Sequence, residues 1–170
     1  MADNLAFDVA LHLGTLIALL VFFRKEVVRL LGAWFSSFAS WKLKADINQR
    51  LAWLIFIGCI PVGLVGLFFG EQIRAIFCSP VLVAVMLIFF GALMIIFEKA
   101  FAKIKSINEL NLKNVIIIGI AQALALIPGV SRSGISIIAG ISQKLKREQA
   151  AKFSFLLSIP VVFGAGLKKI

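Results

Sequence analysis

The sequence predicts an all-α, polytopic membrane protein with about four to five hydrophobic spans and one re-entrant helix-loop-helix. Three observations carry that prediction. Of 170 residues, 61% are hydrophobic and 15% charged, and a mean hydropathy of +1.04 leaves too little polar surface to wet a soluble domain. The apolar residues gather in four long runs, 7–23, 51–69, 81–97 and 153–167, each close to the ~20 residues a helix needs to cross ~30 Å of hydrocarbon. Lys and Arg stand between the runs, so the net charge of +10 is spread over connecting segments. That placement fits positive-inside loops facing anionic lipid headgroups and excludes a nucleic-acid-binding domain.

Run 7–23 is the first spanning helix. The start Met-Ala-Asp-Asn has neither a basic leader nor a cleavage site, so this helix itself is expected to direct insertion. His12 lies within it beside Gly14 and Thr15, and an ionisable group at that depth faces a protein interior or a cavity. Two readings stay open: His12 lines a pocket as a proton carrier, or it bonds a neighbouring helix. Asp8, one turn earlier, orients His12 or marks the water interface.

Residues 24–50 form a basic interfacial loop. Within it Val27, Leu31, Trp34, Phe35 and Phe38 recur at helical spacing, which predicts an amphipathic helix in the membrane surface. Arg24, Lys25, Arg29, Lys42, Lys44 and Arg50 place the loop in the cytoplasm. Run 51–69 is the second span; Pro61 is expected to kink it, and Gly66 and Gly70 form a small-xxx-small pair suited to close helix approach. A short outer connection over 71–79 leads into the third span, 81–97, closed by Glu98, Lys99, Lys103 and Lys105. Cys59 and Cys78 have no metal or redox spacing and are expected only to pack.

The stretch that carries chemistry is Pro128-Gly129-Val130-Ser131-Arg132-Ser133-Gly134, a polar break between apolar runs 115–127 and 135–141. Proline and glycine end the preceding helix, and Ser131 or Ser133 is placed to cap a new one. A helix N-terminus offers unpaired N–H groups and a positive dipole end, and Arg132 adds a fork of donors matched to phosphate oxygens. Gly129, Ser131, Arg132, Ser133 and Gly134 are therefore the candidate phosphate-binding residues, and Gln122 is a further candidate for lining the pocket. Neither arm reaches the length of a full span. The expected arrangement is a re-entrant hairpin over 113–142, entering from the basic, cytoplasmic side with Arg132 inside the membrane. In the competing topology the first arm crosses fully and the second dips in from outside.

The run Gln122-Ala-Leu-Ala-Leu-Ile-Pro-Gly-Val-Ser-Arg-Ser-Gly-Ile-Ser, with Phe153-Ser-Phe-Leu-Leu-Ser-Ile-Pro downstream, resembles the second signature of undecaprenyl pyrophosphate phosphatases, the bacitracin-resistance family of bacterial membrane enzymes. A second match is Phe7-Asp-Val-Ala-Leu-His-Leu-Gly-Thr-Leu. The resemblance implies inverted repeats, each a re-entrant segment followed by a phenylalanine-led helix. A weak internal echo, Phe7, Leu11 and Ala18 against Phe153, Leu157 and Gly164, agrees with this. It also implies hydrolysis of undecaprenyl pyrophosphate to undecaprenyl phosphate at the bacterial inner membrane. That reaction recycles the lipid carrier of peptidoglycan synthesis and gives bacitracin resistance, with a divalent cation, Mg²⁺ or Ca²⁺, assisting. The partners implied are the polyprenyl pyrophosphate substrate and membrane lipids, with self-association into a homodimer left open.

On this reading Arg132, Ser131 and Ser133 are the catalytic candidates. Arg132 stabilises the charge that develops on the phosphoryl group, while the serines act as nucleophile or as phosphate-binding hydroxyls. The resemblance also implies a glutamate-rich motif and a Ser-Gly-His motif upstream of the first helix. This chain contains neither, so its metal ligands are unknown, and His12 is not that histidine because it belongs to the following helix. The expectation is a fragment of a longer enzyme. Ser136 stands where the family often has threonine and keeps the hydroxyl. The alternatives are a polyprenyl-phosphate translocator or binding protein, and an inactive truncated remnant.

Overall fold

The computed structural model describes residues 2–40, 46–77, 79–101 and 104–169, and among these it is built of α-helices. In chain order these are α1 (Ala2–Phe22), α2 (Arg24–Ala39), α3 (Ile47–Phe68), α4 (Gly70–Ile76), α5 (Pro80–Ala100), α6 (Leu112–Ala123), α7 (Arg132–Ser142) and α8 (Arg147–Lys169), with short 3₁₀ turns at Ile107–Glu109 and Leu124–Leu126. Three helices are long and apolar enough to cross a membrane: Ile47–Phe68, Pro80–Ala100 and Arg147–Gly166. In α1 the apolar stretch among the described side chains is the shorter Leu13–Phe22. The protein is an all-α membrane protein. Outward-facing Val85, Ile88, Phe89 and Ile95 on α5, and Phe56, Leu64 and Phe68 on α3, are the surface such a protein turns to lipid.

Helix boundaries follow capping chemistry more than hydropathy. Helix α3 begins at Ile47, ahead of the apolar run, because the Asp46 carboxylate accepts from the N–H groups of Asn48 (2.8 Å) and Gln49 (3.3 Å). Most of the expected basic loop is helix α2. Its inward face is Leu30 and Ser37 with Val27 and Trp34, whereas Leu31, Phe35 and Phe38 point outward. The stripe thus divides: Val27 and Trp34 pack inward, while Leu31, Phe35 and Phe38 stay on the exposed side, where an interfacial helix would meet lipid. The Ser37 hydroxyl accepts from Trp53 Nε1 (3.0 Å) and donates to the Trp34 carbonyl (2.6 Å), tying α2 to the first turns of α3.

The core lies where α3, α6, α7 and α8 meet, in Ile55, Val115, Ile118, Ile141, Leu145, Phe153 and Leu157. Helices α3 and α6 come close to backbone contact at Gly58 and Gly119. A Cβ on Gly119 would sit 2.6 Å from the Gly58 carbonyl oxygen and 3.2 Å from Pro61 Cγ. The expected pair Gly66 and Gly70 does not supply this contact: a Cβ on Gly66 would meet the side chain of Leu126 at 3.6 Å, and a Cβ on Gly70 would have open space around it.

Helices α6 and α7 form an antiparallel hairpin whose two ends are tied together. Asn111 and Asn114 cap α6 reciprocally, and Asn114 Nδ2 donates to Gln143 Oε1 (2.9 Å) just beyond α7. Lys144, in the left-handed region at φ 69°, ends α7 and lets its carbonyl accept from the N–H groups of Ile104 (3.0 Å) and Lys105 (2.8 Å). Lys146 N–H then returns a bond to the Lys105 carbonyl (2.9 Å). The start of α6 and the end of α7 therefore lie together at one end of the bundle, beside the basic residues Lys105, Lys144 and Lys146.

Gly119→Ala should lower stability by about 1–3 kcal/mol, because the nearest atom is backbone and cannot rotate away. Gly63→Ala in α3, where nothing lies within 4 Å, should be neutral or slightly stabilising. Thermal unfolding of both variants in the same detergent checks the contrast.

Candidate phosphate-binding site

Beyond α6 the chain tightens into the 3₁₀ turn Leu124–Leu126 and then turns through Pro128 and Gly129. Gly129 has φ +92°, and a Cβ there would meet the Val83 carbonyl oxygen of α5 at 2.6 Å. Only glycine satisfies both conditions. Helix α7 then starts at Arg132, with Ser131 as its N-cap: Ser131 Oγ accepts from Gly134 N–H (3.2 Å), and the Ser131 carbonyl accepts from Ile135 N–H (2.9 Å). The N–H groups of Arg132 and Ser133 keep no hydrogen bond among the described residues. They are the orphan donors of a helix N-terminus, where the helix dipole favours an anion.

Ser131 is exposed, Arg132 and Ser133 are half-buried, and Gly134 is buried against Met94 Sδ. The structure thus gathers all five candidate phosphate-binding residues into one turn. Among the described residues the Arg132 guanidinium has neither an acidic partner nor a hydrogen-bond acceptor. A half-buried arginine without a counter-ion is a standing cost that an anion would offset.

Two buried serines fix the first turn of α7 from beneath. Ser136 Oγ donates to the Arg132 carbonyl (2.6 Å), and Ser154 Oγ of α8 lies 2.8 Å from Ser136 Oγ and 3.3 Å from the Ser133 carbonyl. Because the single Ser136 proton is committed to Arg132, Ser154 is the donor in the serine pair. Both side chains are 1% exposed. Sequence reasoning missed Ser154, although it stands in the quoted segment Phe153-Ser-Phe; the available signal was a small hydroxyl among large apolar residues on a buried helix face.

Gln122 is placed on the buried face of α6, one turn before the break, and is fully enclosed, with neither amide atom hydrogen-bonded. It lines neither of the cavities described at the basic end. The side chains of His12 and Asp8 lie outside the described residues, so His12 is not brought to the motif or kept from it. No cluster of three or more His, Cys, Asp or Glu occurs among the described residues. At the motif the donors are N–H groups, a guanidinium and hydroxyls that accept weakly, a set suited to an anion and not to Mg²⁺ or Ca²⁺.

This geometry can be set beside known proteins. The model of the family described as bacitracin resistance protein BacA matches residues 1–170. The chain belongs to that family. Among relatives, a protein of Pseudoalteromonas translucida named undecaprenyl-diphosphatase 1 is 45% identical over 165 residues, 97% of this chain and 61% of the relative. An undecaprenyl-diphosphatase of Geobacter metallireducens is 45% identical over 169 residues, 99% of this chain and 62% of the relative. One of Thermobifida fusca is 42% identical over 97% of this chain and 56% of the relative. The chain thus spans about three fifths of the length of the family members it matches.

If the serine pair acts as one unit, Ser136→Ala and Ser154→Ala should each cost about 1 kcal/mol, and the double variant clearly less than the sum. Strict additivity in detergent unfolding would contradict the shared hydrogen bond.

Proposed function

We propose that the chain forms the phosphate-binding part of an undecaprenyl-diphosphatase, a membrane hydrolase that releases phosphate from undecaprenyl pyrophosphate and so renews the lipid carrier of peptidoglycan synthesis. The carrying observation is the half-buried Arg132 without an acidic partner at a capped helix N-terminus, inside a membrane hairpin. Membership of the family and the names of its relatives support the same reaction.

In this reading the Arg132 guanidinium grips two oxygens of the diphosphate, and the N–H groups of Arg132 and Ser133 bind a third. As a water oxygen bonds to the terminal phosphorus and the bridging P–O bond breaks, releasing inorganic phosphate and leaving the lipid monophosphate, the donors hold the charge carried by the oxygens they face more strongly than in the bound substrate. Ser131 and Ser133 act as phosphate-binding hydroxyls. Among the described residues no carboxylate or imidazole touches either, and a serine nucleophile needs such a base. The residues at the motif do not fit Mg²⁺ or Ca²⁺, so no step is derived through a metal.

Depth follows from helix arithmetic. Helix α7 has eleven residues, about 16 Å of rise, which places Arg132 near the middle of a ~30 Å apolar layer when its other end is level with the basic loops. The turn at Gly129 reaches further, to Val83 near the start of α5 and, through Leu126, to the level of Gly66 near the end of α3. The base of the hairpin is closed by core side chains and by the bonds of Ile104 and Lys105 to Lys144 and Lys146. The site is therefore proposed to open away from the basic loops, toward the outer face of the bacterial inner membrane.

Arg132→Ala should weaken binding of a polyprenyl pyrophosphate to the detergent-purified protein by at least tenfold. That corresponds to the loss of a charged hydrogen-bonding group worth roughly 1.5–3 kcal/mol. Arg132→Lys, which keeps the charge and loses the fork, should recover only part of it. Fluorescence titration with the lipid, together with phosphate release where turnover occurs, checks both; unchanged binding in Arg132→Ala would sink the assignment.

A further inference from the structure

At the opposite end of the bundle from Arg132 lies a cavity of about 420 Å³, within the size range of small-ligand pockets. It lies between the N-terminal halves of α2, α3 and α8 and the 3₁₀ turn Ile107–Glu109. Its walls divide by chemistry. Leu30, Leu51, Ile107 and Leu156 make an apolar floor, while Arg29, Asn48, Ser106, Asn108, Gln149 and Lys152 bring polar groups to it.

The charge balance of the lining is positive. Lys152 Nζ is bonded to Glu26 Oε1 at 2.8 Å, so the only lining carboxylate is already neutralised. That hydrogen bond, with the Lys152 charge, also holds the Glu26 carboxyl below its ordinary range, so at neutral pH it stays ionised and paired. Arg29 adds to the positive field at Glu26 but makes no ion pair within 4.0 Å among the described residues, so the cavity keeps one cation in excess. Arg24, Lys25, Lys105, Lys144, Lys146 and Arg147 stand on the same end of the molecule, which by the positive-inside rule faces the anionic leaflet. A basic pocket between helices at that level, polar at its walls and apolar at its floor, has the form of a lipid-headgroup site.

We propose that this cavity binds the phosphate-bearing headgroup of an anionic membrane lipid, held by Arg29 and the amides of Asn48, Asn108 and Gln149, with the start of an acyl chain against Leu30 and Leu156. The site is separate from the Arg132 motif, since no residue of 128–134 lines it, and it does not depend on the reaction assigned there.

The test is native mass spectrometry of the detergent-solubilised chain titrated with phosphatidylglycerol or phosphatidylcholine. Phosphatidylglycerol should bind one saturable site at least tenfold more tightly. Arg29→Glu should abolish that preference, whereas Lys25→Glu, the same charge change on the same helix but outside the cavity, should alter it less than about twofold. Asn48→Asp, which adds a negative charge from the facing helix, should weaken it as well, and circular dichroism checks that each variant keeps its helices. Equal loss in Arg29→Glu and Lys25→Glu would reduce the effect to diffuse surface charge and overturn the proposal. So would inorganic phosphate that displaces the lipid at millimolar concentration in an Arg29-dependent way, since the ligand would then be a free anion.

Discussion

A chain that breaks its helix inside an apolar bundle must find partners for the backbone groups it frees, because hydrocarbon supplies none. The α6–α7 hairpin meets this constraint at both ends. At the base, the Lys144 carbonyl, Lys146 N–H and the Asn114–Gln143 amides close the ring of bonds between the arms. At the tip, Ser131 satisfies Gly134 N–H, while Ser136 donates to the Arg132 carbonyl and is itself held by Ser154. Among the groups left unpaired at the tip are the Arg132 guanidinium and the two leading N–H groups of α7, donors that stand side by side. The hairpin is thus a frame that concentrates unpaired donors at one spot.

The surrounding helices make that frame affordable in space. Gly58 and Gly119 let α3 and α6 touch backbone to backbone, bringing the tip beside the far end of α3, and Gly129 lets the turn lie against α5. Helix α8 supplies both the inner floor, through Phe153 and Leu157, and the hydroxyl of Ser154. Buried and unpaired, the Gln122 amide is the local exception; leaving such groups without partners costs about 1–3 kcal/mol each, and it sits one turn beneath the break where polar ligand groups are expected.

Much of this was legible in the sequence, and the reasons are particular. Long apolar runs read as spans because composition alone decides them. Pro128, Gly129 and the Ser-Arg-Ser core read as a break and a cap because local backbone chemistry decides those. Which residues of the α2 stripe turn inward was not legible, since Leu31, Phe35 and Phe38 are as apolar as Val27 and Trp34, and it is the contact of Trp34 and Ser37 with Trp53 of α3 that separates them. Gly66 and Gly70 matched a motif for helix contact, while the contact formed at Gly58 and Gly119, a pairing across 61 residues that no local spacing reveals. Ser154 shows the same limit: its role exists only once α8 is laid beside α7.

The central claim is that both arms of the hairpin begin and end on the basic side while its tip opens to the other. Single cysteines at Lys113, Lys144 and Ser131, introduced after Cys59 and Cys78 are replaced by serine, can be labelled with a membrane-impermeant thiol reagent in vesicles of known orientation. The account predicts that positions 113 and 144 react from the same face and position 131 from the opposite face. Labelling of 113 and 144 from opposite faces would contradict it.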